Sequence, residues 1–163
     1  MSAYIPRLQD AVLRDLLGGL PALAIDGAKG VGKTSTARRV CESELRVDDP
    51  AVAESLRNDP GLISRLPPPV LLDEWQHVPT LWNEVRRQVD DDYSPGRFVL
   101  AGSATPSRDA NLHSGAGRIV RLRMRPLTLQ ERLGAEPAAR LSDLLEGTLP
   151  TSTAESTFTY GEY

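Results

Sequence analysis

Cysteine occurs once in the 163 residues, at Cys41, so no disulfide can form within the chain. Histidine occurs only at His77 and His113, which leaves little basis for a closed zinc site. No stretch approaches the roughly 18 consecutive apolar residues of a membrane span, and no basic-then-apolar segment opens the chain. Neither membrane insertion nor secretion is supported, and a cytoplasmic location is expected. Lysine is almost missing: 17 basic residues are arginine and two, Lys29 and Lys33, are lysine. After Arg140 no base remains, while Asp143, Glu146, Glu155 and Glu162 follow. The net charge of −3 therefore gathers in the tail, and the rest is nearly neutral. A neutral domain has no global field toward nucleic acid; a local patch stays possible but unsupported.

What is present suits one soluble α/β domain. The length allows about two-thirds of the unfolded surface to be buried. Hydrophobic residues at 40% and charged residues at 25% are ordinary for such a core. Within it, Gly27-Ala28-Lys29-Gly30-Val31-Gly32-Lys33-Thr34 fits the phosphate-loop pattern G-x-x-x-x-G-K-[ST], with Ser35 following. Gly27, Gly30 and Gly32 let successive N–H groups converge on an anion. Lys33 supplies a compact charge for the outer phosphates, and the Thr34 hydroxyl can ligate the Mg²⁺ of a nucleoside triphosphate. The apolar run Ala22-Leu23-Ala24-Ile25 before the loop reads as a buried strand, and the residues after Lys33 read as a helix whose N-terminus favours negative charge. Both lysines of this arginine-biased chain lie in the loop, where a point charge suits better than a planar fork.

Along the chain, Leu8, Ala11, Val12, Leu16 and Leu17 recur at helical spacing, ending at Gly18-Gly19. The helix after the loop is expected to reach about Glu44, with Cys41 as an inert core thiol on one face, before a short strand at 45–47. Residues 50–66 read as helical turns broken at Pro60-Gly61. Pro67-Pro68-Pro69 leads into the strand Val70-Leu71-Leu72, ending at Asp73. Leu81, Trp82, Val85 and Val89 mark a helix behind Pro79, and Phe98-Val99-Leu100-Ala101 another buried strand. Strands alternating with helices imply right-handed crossovers and a parallel sheet covered on both faces. From 118 to 125 arginines intersperse with apolar residues, alternating strictly at the end; this reads as an edge strand with a solvated arginine row. The Thr-, Ser- and Pro-rich stretch past Gly147 reads as a linker or frayed tail.

Asp73 and Glu74 are adjacent carboxylates at the C-terminal end of a buried strand, the edge where α/β sheets hold ligands. Asp73 can hold a metal through water, and Glu74, pointing elsewhere, can orient and deprotonate an attacking water. A phosphate loop, one intervening strand and then this pair resemble the additional-strand, catalytic-glutamate class of P-loop NTPases, and within it the AAA-type ATPases. Pro69 to Gln76, Leu100 to Ala104, Gly117-Arg118-Ile119 and Arg125 to Glu131 are similar to a bacterial and archaeal subgroup of AAA ATPases that carry a further C-terminal domain. The resemblance covers about residues 4–140.

It implies a three-layer sandwich with about five parallel strands, residues 1–146 forming the ATPase core and 147–163 the tail. It implies ATP and Mg²⁺ as cofactors, with residues 27–35 binding nucleotide. Lys33 and Glu74 would act in catalysis, Thr34 and Asp73 at the metal, Ser103 as γ-phosphate sensor and Arg118 as arginine finger. The subgroup continues where this chain stops at Tyr163, so either the chain is a fragment or its partner domain lies on another chain; the expected partners beyond ATP are a second copy of the chain or a separate C-terminal domain. Two other functions share the loop: a small-molecule kinase, and a nucleotide-gated binding module with negligible turnover. No Asn-Lys-x-Asp guanine motif occurs.

Overall fold

The computed structural model describes residues 4–102, 115–134 and 141–147. Its uninterrupted apolar runs are the centre of a sheet, because only a strand covered on both faces can be apolar at every position. Five strands are seen among these residues: β1 (Ala22–Asp26), β2 (Ser43–Arg46), β3 (Val70–Asp73), β4 (Phe98–Gly102) and β5 (Ile119–Arg123). They lie in the order 2-3-4-1-5, all neighbours parallel. Ala22 pairs with both Phe98 and Ile119, and Val70 with Phe98, so alternate residues across the sheet share a face. Ala22, Ala24, Val70, Leu72, Phe98 and Leu100 pack on α3 (Pro50–Asn58), α4 (Thr80–Asp91) and two short 3₁₀ turns. Leu23, Ile25, Leu71, Val99 and Ala101 pack on α1 (Leu8–Gly19) and α2 (Lys33–Ala37). The expected three-layer α/β sandwich is the fold.

The helix after the loop is shorter than its pattern suggests. α2 stops at Ala37. The chain then tightens, with the N–H of Arg39 on the Thr36 carbonyl and those of Val40 and Cys41 on the Ala37 carbonyl. The Pro69 carbonyl, at the end of the triple proline, accepts from the N–H groups of Glu42 and Ser43 and draws them into β2. Sheet pairing there overrides helical periodicity, and β2 begins two residues before its expected start. Cys41 is nonetheless packed against the α1/α2 side of the core, and burial, with Glu44 nearby, pushes its thiol up to about 12. Near neutral pH its thiolate fraction is therefore far below that of an ordinary thiol, and only the thiolate attacks. Native protein at pH 8 should therefore react with iodoacetamide far more slowly than urea-unfolded protein. Equal alkylation rates would contradict its half-buried placement against the core.

β5 lies at the sheet edge as its alternation requires. Val120, Leu122 and Met124 turn toward the α1 side, while Arg121 and Arg123 are exposed. Arg121 is not merely solvated: its guanidinium lies 5.1 Å from the Trp82 ring and donates to Asp26 at 3.2 Å. Residues through Leu127 form one compact unit and those from Thr128 a second. The second contains α5 (Leu129–Leu133) and α6 (Leu141–Leu145). Thr128 and Glu131 cap α5 reciprocally: the Glu131 carboxylate accepts from the Thr128 N–H at 2.7 Å and the Thr128 hydroxyl from the Glu131 N–H at 3.1 Å. The tail past residue 147 lies outside the described residues.

Candidate nucleotide site

β1 and β3 both run toward the same edge of the sheet, and that edge carries the candidate site. The chain leaves β1 at Asp26, turns through Gly27–Gly32 and enters α2 at Lys33. Gly30 and Gly32 have φ of 83° and 97°, left-handed values that strain any residue with a Cβ. Gly27 is needed for a different reason, since a Cβ there would collide with the Met124 carbonyl. Lys29 and Ser35 are exposed, but Lys33 is buried. Its ammonium donates to the carbonyls of Gly27 at 3.0 Å and Ala28 at 2.9 Å, so the charge is held in the curve of the loop.

The loop and the strand-end carboxylate meet. Thr34 Oγ1 donates to Asp73 Oδ1 at 2.8 Å, across 39 residues of sequence. Burial raises the Asp73 carboxyl above its usual range; the Thr34 hydrogen bond opposes this and the neighbouring Glu74 charge adds to it. A hydroxyl beside a carboxylate is a pair of hard oxygen donors, the chemistry that Mg²⁺ prefers. Glu74 follows in the left-handed region, at φ 53° and ψ 41°, a conformation that costs a non-glycine residue about 1–3 kcal/mol. Its half-buried carboxylate accepts a hydrogen bond from the Gln76 amide.

Beside the loop lies a cavity of about 780 Å³, within the range of small-ligand sites. Tyr4, Ile5 and Arg7 line it from the segment before α1, and Pro126 and Leu127 from the segment after β5. Neither Asp73 nor Glu74 reaches it.

Arg7 carries no sequence motif that marks it as part of the site. This buried guanidinium donates to the Val31 carbonyl in the loop and to the Arg125 carbonyl, both at 2.7 Å, tying the loop to the end of β5. Asp10 holds the clamp's backbone by accepting from the Arg7 N–H at 2.9 Å, and Tyr4 donates to Asp10 at 2.6 Å. The Arg39 guanidinium lies 4.5 Å from the Tyr4 ring. Only the Arg7-x-x-Asp10 spacing at a helix start was visible as a signal, and it marks a helix cap rather than a loop clamp.

Lys33, Thr34, Asp73 and Glu74 thus gather at one edge, but Arg118 does not join them. It immediately precedes Ile119, which pairs with Ala22 at the opposite end of β1 from the loop. Four residues of strand, about 13 Å, separate those ends. In its own chain Arg118 forms an exposed ion pair with Asp90 of α4. Ser103 lies outside the described residues.

A parallel 2-3-4-1-5 sheet with a glycine loop after β1 and an acidic pair at the end of β3 defines the class: a P-loop nucleotide-binding α/β domain. The chain belongs to the AAA domain family, whose model matches residues 20–133. Uncharacterized proteins of Mycobacterium bovis and Mycobacterium tuberculosis are each similar to it, 33% identical over 147 residues. The match takes in 87% of this chain and 33% of each relative, so the chain spans about a third of the length of these curated proteins. AAA membership implies nucleotide binding. Among the described residues no helix is long and apolar enough to cross a membrane.

Proposed function

We propose that this chain is a Mg²⁺-dependent ATP hydrolase core whose turnover switches or drives a further module. The observation that carries the reading is the Thr34–Asp73 hydrogen bond, which joins the two motifs at one point. Lys33 holds the outer phosphates, and the loop N–H groups of residues 27–35 wrap the rest. Thr34 and Asp73 would hold Mg²⁺, which supplies charge neutralisation at the phosphate oxygens. Glu74 takes the proton of the attacking water. The nucleoside end of ATP occupies the cavity between Tyr4–Arg7 and Pro126–Leu127.

Adjacent carboxylates suit activated water better than transfer to an organic hydroxyl, which sets hydrolysis above a small-molecule kinase. Radiolabel from the γ-phosphate of ATP should appear as free phosphate. Label on an added alcohol or nucleoside acceptor would overturn the proposal.

Arg118, too far along the sheet to serve its own site, is proposed to serve a second copy. An arginine supplied from a neighbour is worth about 10³–10⁵ in rate. Specific activity should then climb with protein concentration, and Arg118→Ala should flatten that climb with ATP affinity nearly unchanged. A rate independent of concentration and of the substitution would leave Arg118 as the surface partner of Asp90.

A further inference from the structure

Two buried polar atoms beside Glu74 have no hydrogen-bond partner among the described residues: Trp75 Nε1 and Gln76 Oε1. Both lie against the end of β4. A methyl group built on Gly102 would collide with Gln76 Oε1 and meet Trp75 Nε1 at 3.0 Å. The φ of Gly102 is not left-handed, so space rather than backbone conformation requires glycine there. Trp75 is 1% exposed and packs on Trp82 with ring centroids 5.3 Å apart, which fixes where its N–H points. The other end of the Gln76 amide, Nε2, donates to the Glu74 carboxylate.

An amide bonded at one end to a carboxylate, and fitted at the other into a gap that admits no Cβ, restricts that carboxylate's rotation. The left-handed backbone at Glu74 needs such support, because a non-glycine residue stays there only when its surroundings hold it.

We propose that Gln76 is a positioning residue: seated against Gly102, its amide holds the Glu74 carboxylate in the orientation that activates water. This rests on the ATPase reading of Glu74 and adds to it two residues, Gln76 and Gly102, that need not touch nucleotide. Removing a supporting partner of this kind typically slows a reaction about 10–100-fold. Loss through Glu74 leaves a signature that loss of packing does not.

The test is single-turnover hydrolysis of γ-labelled ATP with Mg²⁺, protein in excess, alongside ATP affinity by isothermal titration. Gln76→Ala should slow the chemical step about 10–100-fold and leave affinity within about twofold. Gly102→Ala, which keeps the amide but displaces it, should do the same. In a Glu74→Gln background Gln76→Ala should add nothing, because the group it positions is already gone. An unchanged rate in Gln76→Ala overturns the proposal. So does an equal slowing by Gln76→Ala with Glu74 present and with it replaced, which would mean that Gln76 acts through the fold. Wild-type turnover in Glu74→Gln alone would overturn the underlying assignment of Glu74 as well, a failure visible before Gln76 is altered.

Discussion

Lys33→Ala should lose most of its affinity for ATP-Mg²⁺ while keeping its fold. The Lys33 ammonium is buried and already fixed by the Gly27 and Ala28 carbonyls, where the proposed function brings the outer phosphates. Removing one partner of a buried, hydrogen-bonded charge pair costs about 2–5 kcal/mol, a fall of roughly 30-fold to several thousand-fold in affinity. Lys33→Arg should not rescue binding, since a planar guanidinium cannot sit in a curve closed by two carbonyls about 3 Å from a compact ammonium. Circular dichroism should confirm an intact sheet, because the apolar runs of β1, β3 and β4 do not depend on this side chain. Equal ATP affinity in Lys33→Ala and the unaltered chain would remove the phosphate-loop assignment.

Glu74→Gln should have the opposite profile, binding ATP normally and failing to turn it over. The amide keeps the size of the side chain and loses the basic oxygen, so only proton removal from water suffers, by about 10²–10⁴-fold. ATP affinity should stay within about twofold, because Thr34, Asp73 and Lys33 are untouched. Rapid-quench measurement of the chemical step beside equilibrium titration separates the two effects. Should Glu74→Gln keep its rate while Asp73→Asn abolishes it, the roles of the two carboxylates must be exchanged.

How much of this was legible beforehand depended on whether a signal was local. β1, β3 and β4 were legible because apolar residues at every position admit a doubly covered strand and little else of that length. The edge position of β5 followed from the strict alternation of Arg121, Leu122, Arg123 and Met124. The loop was legible because its glycines, lysine and threonine are needed within eight consecutive residues. The early start of β2 was not, because the Pro69 carbonyl that draws Glu42 and Ser43 into the sheet belongs to another part of the chain. Arg7 was hidden for a related reason. Its acceptors are backbone carbonyls 24 and 118 residues away, and a carbonyl has no sequence identity to notice. Gln76 was seen only as part of a family-like motif; its place between Glu74 and Gly102 needed the register of β3 beside β4.

The central claim is that Thr34 and Asp73 join the phosphate loop and the acidic strand end into one metal–nucleotide site. The most direct measurement is ATP affinity by isothermal titration with Mg²⁺ and with EDTA, for the unaltered chain, Thr34→Val, Asp73→Asn and the double variant. Mg²⁺ should strengthen ATP binding to the unaltered chain, either substitution should abolish most of that gain, and the double variant should lose little more than each single one. The same gain from Mg²⁺ in all four proteins would contradict the claim.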